Sequence, residues 1–329
     1  MVSRRRGALL ATCVNSRPAD DLHSASENLV SAMSVVSPLL RIGCPVWACE
    51  HWKGSLYKAN AVRRDWLGQY SSVFSTVEVN STFYAIPALD LVRRWAESVS
   101  PDFRFCLKVP RSITQDHRLH RVDAELNAFL QITGVLQAAG VLGPSFIQLP
   151  PDFSRQEASV LERFLTLLPA DLPWALEVRH HDWFDHADQE TWLVEQLRRR
   201  NIDYVIFDSR PLYSKPPADE IEKISQTRKP RTPLRRTVTG RHPFLRFIGR
   251  NTLEEVQPWI AEWAPVVAGW LQDGLQPLIF THAPDDRFAP DFARRMHRAI
   301  QQHCRELPDL PAWPGESGPA LTRQKSLFD

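Results

Sequence analysis

The sequence predicts an α/β fold of the TIM (β/α)8 barrel type, carried on a single domain. Three observations predict it. Eight short apolar runs alternate with helical patterns over about 260 residues, which is the arithmetic of that barrel. No glycine-rich dinucleotide fingerprint and no P-loop follows any run, which disfavours a doubly wound open sheet. The composition, 329 residues with 43% hydrophobic and 24% charged, is that of a globular chain, and no apolar run reaches the length of a membrane span.

Residues 1–40 lack apolar periodicity and are expected to be a flexible extension. They open with Arg4, Arg5 and Arg6 and hold no acid before Asp20; Met33 is a candidate start of the native chain. The barrel is expected over 41–303, with strands at 41–47, 76–80, 104–109, 145–150, 174–179, 204–209, 243–249 and 276–283. Helical spacing joins Phe129, Ile132 and Leu136, then Ala158, Leu161, Phe164, Leu165 and Leu168, then Trp192, Leu193 and Leu197. Ser154 with Glu157 three residues later is a capping-box signature for the second of these helices. Residues 304–329 are expected to be a flexible tail. Five scattered cysteines fit a reducing, cytoplasmic setting better than a disulfide framework.

The strand ends carry the functional signal. A parallel strand buried on both faces should be nearly all apolar. Here polar residues recur near the C-terminal ends: Glu78 and Asn80, Lys108, Gln148, Glu177 and Arg179, Asp208, Arg246 and His282. In a barrel these ends converge on the face where active sites sit. Burying so many charges for stability alone would be costly, since Val or Ile would serve better. The acid/base candidates are Glu78, Lys108, Glu177, Asp208 and His282. Arg179 and Arg246 suit an anionic or phosphate-bearing substrate, because guanidinium forks grip oxyanions.

Three acids balance three cations in this set, so the pattern favours a metal-free acid/base site over a metal centre. No HExxH motif and no paired-cysteine zinc spacing occurs. A divalent metal stays open as an alternative, and no nucleotide cofactor is indicated. An amine at a strand end also raises a Schiff-base role for Lys108, as in lyase barrels.

Several segments resemble the YecE-like family (domain of unknown function 72). They are Ile42-Gly43-Cys44-Pro45-Val46-Trp47 with Trp52-Lys53-Gly54 and Tyr57, and Thr76-Val77-Glu78-Val79-Asn80 with Thr82-Phe83-Tyr84 and Pro87. Further ones are Lys108-Val109-Pro110, Gln148-Leu149-Pro150-Pro151-Asp152-Phe153, Leu176-Glu177-Val178-Arg179-His180 with Trp183, and Asp208. The resemblance spans 41–303 and implies a TIM barrel without an established activity. It adds Tyr84 and Trp183 to Asn80, Gln148, Arg179 and Arg246 as candidate substrate-binding residues. The last strand reads Phe280-Thr281-His282-Ala283-Pro284-Asp285 rather than the Phe-Asn-Asn run of many relatives, an end that resembles the YecE-like branch of the family.

Two further segments point to partners. Between Lys223 and Arg241 the chain carries seven Lys or Arg residues and no acid, an electrostatic funnel for nucleic acid or a solvated loop. The end Gln324-Lys325-Ser326-Leu327-Phe328 resembles the peptide with which bacterial replication and repair proteins bind the DNA sliding clamp. Gln324, Ser326, Leu327 and Phe328 would be the docking residues. Two functions are therefore expected to compete: an enzyme, with a clamp-recruited nucleic-acid hydrolase as its sharpest form, and a non-catalytic adaptor.

Overall fold

The computed structural model describes residues 39–185 and 187–316. Parallel strands alternate with helices along the chain in a barrel-type arrangement. The strands are β1 (Arg41–Gly43), β2 (Thr76–Val79), β3 (Arg104–Leu107), β4 (Ser145–Gln148), β5 (Trp174–Glu177), β6 (Ile202–Asp208), β7 (Phe244–Ile248) and β8 (Leu278–His282). Each expected run supplies one strand. Each ends one to four residues earlier than expected.

Six strands form one sheet in the order β1-β8-β7-β6-β5-β4, and β2 pairs with β3. Single contacts bridge the seams. The Glu78 amide donates to the Cys44 carbonyl at 3.1 Å, and the Val109 amide to the Phe146 carbonyl at 3.0 Å. Inside lie Cys106, Phe146, Ala175, Val205, Phe244, Leu278 and Phe280, an apolar plug drawn from β3 to β8. Tilted aromatic rings pack through it, Phe146 against Phe244 at 5.6 Å and Phe244 against Phe280 at 4.9 Å between centroids. The next residue on the same face, two positions on, is Lys108, Gln148, Glu177, Phe207, Arg246 or His282. Period-two geometry thus puts a polar layer directly on an apolar one.

The helices are α1 (Trp66–Ser71), α2 (Ser81–Tyr84), α3 (Leu89–Glu97), α4 (Asp123–Ala138), α5 (Ala158–Leu167), α6 (Ala187–Arg199), α7 (Arg210–Tyr213), α8 (Glu220–Arg228), α9 (Leu253–Gln272) and α10 (Ala289–Gln301). Most of the expected stripes are buried, Phe129, Ile132 and Leu136 on α4, Leu161, Phe164 and Leu165 on α5, and Leu193 and Leu197 on α6, while Ala158, Leu168 and Trp192 are half-buried. Before α5, Ser154 accepts from the Gln156 amide at 3.2 Å. The reciprocal half of the expected capping box is not made. Glu157 turns instead to Arg118, 2.6 Å away. Between β6 and β7 the connection holds only the short α7 and α8, and α8 reaches the strand-end face.

The fold runs further than expected. The flexible tail was expected from Cys304, but Cys304, Leu307 and Trp313 are buried. The Arg294 guanidinium lies 3.6 Å from the Trp313 ring centroid. Gly315 sits on the 55–57 turn so closely that a Cβ there would meet the Ser55 carbonyl oxygen at 2.2 Å, so a glycine is required. Apolar burial and one stacked cation anchor this stretch. Residues 1–38, with Met33, and 317–329, with Gln324, Ser326, Leu327 and Phe328, lie outside the described residues. No helix among the described residues is long and apolar enough to cross a membrane.

Candidate functional site

Arg246, from the inner face of β7, organises the polar layer. Its Nε and Nη2 donate to the two carboxylate oxygens of Glu78 at 2.7 Å each, and its Nη1 to Glu177 at 2.5 Å. All three side chains are buried. The Arg246 guanidinium also lies 5.2 Å from the Phe146 ring and 5.6 Å from Phe207, so the apolar plug floors it. The fork geometry of arginine is what lets one cation serve two carboxylates.

Each carboxylate is then finished by neutral or cationic donors. Glu177 accepts from Gln148 at 2.9 Å and from Arg179 Nε at 2.6 Å. Glu78 accepts from Asn80 at 2.8 Å, and His282 Nε2 lies 3.3 Å from it. Burial alone would raise both acids. Arg246 and Arg179 outweigh it at Glu177, holding it at about 2. Arg246 and His282 do the same at Glu78, which stays well below the usual carboxylate range. Burial dominates at His282 and pushes it down to about 4, against the pull of Glu78. Both acids are thus held ionised at neutral pH, each surrounded by several donors.

Above this layer opens a cavity of about 520 Å³. Asn80, Lys108, Gln148, Arg179, Arg246 and His282 reach it from the strand ends. The opposite wall comes from α8 and the chain after it, with Ile221, Ile224, Arg228 and Lys229, and from Asp286 beyond β8. Lys108 is buried, with its amine 3.8 Å from the Phe83 ring centroid. Burial, then the Arg246 and Arg179 charges, lower it to about 7. The same causes lower Lys229 to about 8, while burial raises Asp286 to about 6.

The α8 wall is fixed from behind by a buried ion pair. Glu222, fully buried, accepts from Arg250 at 2.6 Å, from the Asn251 amide at 2.8 Å and from the Ala218 amide at 2.9 Å. Asp219 caps the helix by accepting from the Glu222 amide at 2.7 Å. These contacts tie α8 to the turn after β7 and so set where Arg228 and Lys229 stand.

Of the expected catalytic residues, Glu78, Lys108, Glu177 and His282 come together. Asp208 does not. It leaves β6 on the outer face, where it accepts from the Trp263 indole at 2.8 Å and from Arg210 Nη2 at 2.8 Å. On β6 the inner face belongs to Val205 and Phe207, so Asp208, which shares the other face with Tyr204 and Ile206, points away from the site. Of the expected binding residues, Asn80, Tyr84, Gln148, Arg179 and Arg246 line the cavity. Trp183 is buried elsewhere, its indole donating to the Phe153 carbonyl at 2.8 Å and its ring stacked on Trp192.

Sequence reading missed Asp286 altogether and saw Lys229 and Arg228 only as members of a basic run. That run is not the open funnel it suggests. Arg235 is held by Glu190 at 2.9 Å, Arg236 pairs with Glu262, and Arg231 stacks over Tyr213 at 4.6 Å. Acids distant in sequence neutralise part of it, and Arg228 and Lys229 are the members that face the cavity. No group of three or more His, Cys, Asp or Glu side chains among the described residues is placed to hold a metal ion.

Comparison with known proteins comes to the same chain from outside. A family model described as a protein of unknown function, DUF72, matches residues 41–316. YecE of Escherichia coli (strain K12) is 32% identical over 290 residues, which is 88% of this chain and 100% of that one. YunF of Bacillus subtilis is 28% identical over 152 residues, 44% of this chain and 52% of that one. Among solved structures, a DUF72 family protein from Thermotoga maritima aligns with a TM-score of 0.61 at 22% identity, covering 80% of this chain and 99% of its own. One from Enterococcus faecalis aligns with a TM-score of 0.59 at 20% identity, covering 80% and 98%.

Proposed function

The chain belongs to the DUF72 family, and we propose that it is an enzyme acting on a small anionic substrate at the strand-end cavity of a closed (β/α)8 barrel. The carrying observation is the wall of basic side chains. Lys108, Arg228 and Lys229 face the cavity, and none makes an ion pair with an acid among the described residues. Lys108 is buried, Lys229 half-buried and Arg228 exposed at the rim, and a phosphate or carboxylate would supply the acid that these side chains lack. The closed-barrel reading is supported by the seam contacts and by the inner apolar plug that β3 to β8 share.

Acid/base work falls to the groups that Arg246 does not saturate. Lys108, at about 7, is matched to accepting a proton near neutral pH, and Asp286, at about 6, to giving one. A small anion fits better than nucleic acid, since Arg231, Arg235 and Arg236 are engaged by the protein itself. The cavity volume of about 520 Å³ lies within the range of small-molecule sites.

Calorimetric titration with inorganic phosphate, pyrophosphate and simple phosphomonoesters tests this reading. Binding is expected, weakened about tenfold or more by Lys229→Met, the loss of one charge-assisted contact. Failure of all these anions to bind the native protein overturns it.

The end of the chain favours a second reading, an adaptor that docks on the sliding clamp through Gln324, Ser326, Leu327 and Phe328. It is compatible with the first and shares the cytoplasmic setting proposed from the cysteines. Removal of the last six residues is expected to abolish clamp binding and leave phosphate binding intact; unchanged affinity for the clamp refutes the docking role.

A further inference from the structure

We infer that Lys108 is a nucleophile that forms an imine with the carbonyl carbon of an anionic aldehyde or ketone. This rests on the reading of the cavity as an anion site and names the chemical class of its substrate.

The argument begins with what surrounds the amine. Lys108 follows β3, and its backbone is pinned on both sides. Its amide donates to the Val79 carbonyl at 3.1 Å, and its carbonyl accepts from the buried Thr82 hydroxyl at 2.7 Å. The side chain therefore enters the cavity from a rigid root. Its amine lies against the Phe83 ring rather than a carboxylate. The two acids of the layer, Glu78 and Glu177, are already claimed by Arg246, Arg179, Asn80 and Gln148. Two fixed guanidinium groups in a desolvated setting are the conditions that keep a lysine uncharged at neutral pH, and an uncharged amine attacks carbonyl carbon. The lowered proton affinity of Lys108 agrees with this geometry.

The remaining cavity residues supply what the chemistry needs. Arg228 and Lys229, on the facing wall, hold the oxyanion and so orient the carbonyl, which is worth more than raw affinity. In the first step the amine nitrogen bonds to the carbonyl carbon, the C=O π pair moves to oxygen, and a proton passes from nitrogen to that oxygen, giving a carbinolamine. In the second, Asp286 protonates the hydroxyl, water leaves, and the nitrogen lone pair closes the C=N bond. The iminium then gives its N–H proton back to Asp286, which restores the acid and leaves the neutral imine. No oxidant or reductant is consumed.

The competing amine is Lys229, lowered by the same causes, and exposed lysines such as Lys58 and Lys223 serve as internal standards. The full-length protein is incubated at pH 7.5 with pyridoxal 5′-phosphate as an anionic aldehyde probe, reduced with borohydride, digested and mapped by mass spectrometry. Lys108 is expected to be labelled at least about tenfold faster than Lys58, a rate ratio that tracks the uncharged fraction of each amine. Pyridoxal without the phosphate is expected to label it far less, and inorganic phosphate to protect it. Labelling confined to Lys229, or labelling of Lys108 no faster than Lys58, overturns the proposal. Phosphate binding with no adduct on Lys108 overturns the imine while sparing the anion site, whereas absence of phosphate binding strikes the anion site itself. The measurement is made on the native sequence, so it needs no variant to fold; Lys108→Arg, which removes the amine, is expected to lose the adduct.

Discussion

Arg246 grips Glu78 through both carboxylate oxygens at 2.7 Å, with both side chains buried. They come from β7 and β2, strands that do not neighbour each other in either sheet. The pair therefore ties the two-stranded and six-stranded parts together through the interior, and Glu177 extends the tie to β5.

Replacing Arg246 removes the cation from two buried acids at once. Arg246→Ala is expected to destabilise the protein by about 3–5 kcal/mol, the cost of leaving buried charge uncompensated. Arg246→Ala combined with Glu78→Gln should recover part of that loss. Urea unfolding of the three proteins checks it; equal losses in the single and double variants contradict the assignment.

Asp208 separates stability from ligand binding. Its carboxylate accepts from the Trp263 indole and from Arg210 on the outer face of β6. Asp208→Asn is expected to cost about 1–3 kcal/mol, as charged hydrogen bonds weaken and one amide proton finds no acceptor. Phosphate affinity should not change. A tenfold drop in affinity with unchanged stability would return Asp208 to the site.

The acid limb of stability reports His282. Its folded value, about 4, lies below the ordinary 6.5. The unfolded chain therefore takes up a proton that the folded protein refuses, and stability falls as pH drops from about 6.5 to about 4. Glu177, at about 2 against an ordinary 4.5, carries the loss to lower pH with the same sign. Wild type should lose stability relative to His282→Asn over the upper window, by at most about 1.4 kcal/mol per pH unit for one proton. Parallel pH profiles for the two proteins would show that His282 is not held neutral.

What the sequence discloses follows from where each residue's neighbours lie. The strands are legible because buried β-runs between polar turns need no distant information. The polar set at β2, β3, β4, β5, β7 and β8 is legible for the same reason, since a charge in an apolar run stands out. Strand β6 shows the limit. Both of its faces are apolar, Tyr204 and Ile206 on one and Val205 and Phe207 on the other, so alternation alone cannot say which parity turns inward. Lys229 comes from a connection held by long-range pairs such as Arg250 with Glu222 and Arg235 with Glu190, and Asp286 from one whose carbonyl accepts from the distant Trp52 indole. Nothing local marks them.

The sheet order has a consequence for biosynthesis. Strand β1 finds its ladder partner in β8, with Arg41 opposite Leu278. At ordinary elongation rates about 240 residues separate their emergence from the ribosome, roughly 10–50 s. For that interval Ile42 and the backbone of β1 have no ladder, and an unpaired strand is a template for wrong partners. Ribosome-profiled nascent chains should bind chaperone from β1 onward and release it only after Leu278 has cleared the exit tunnel.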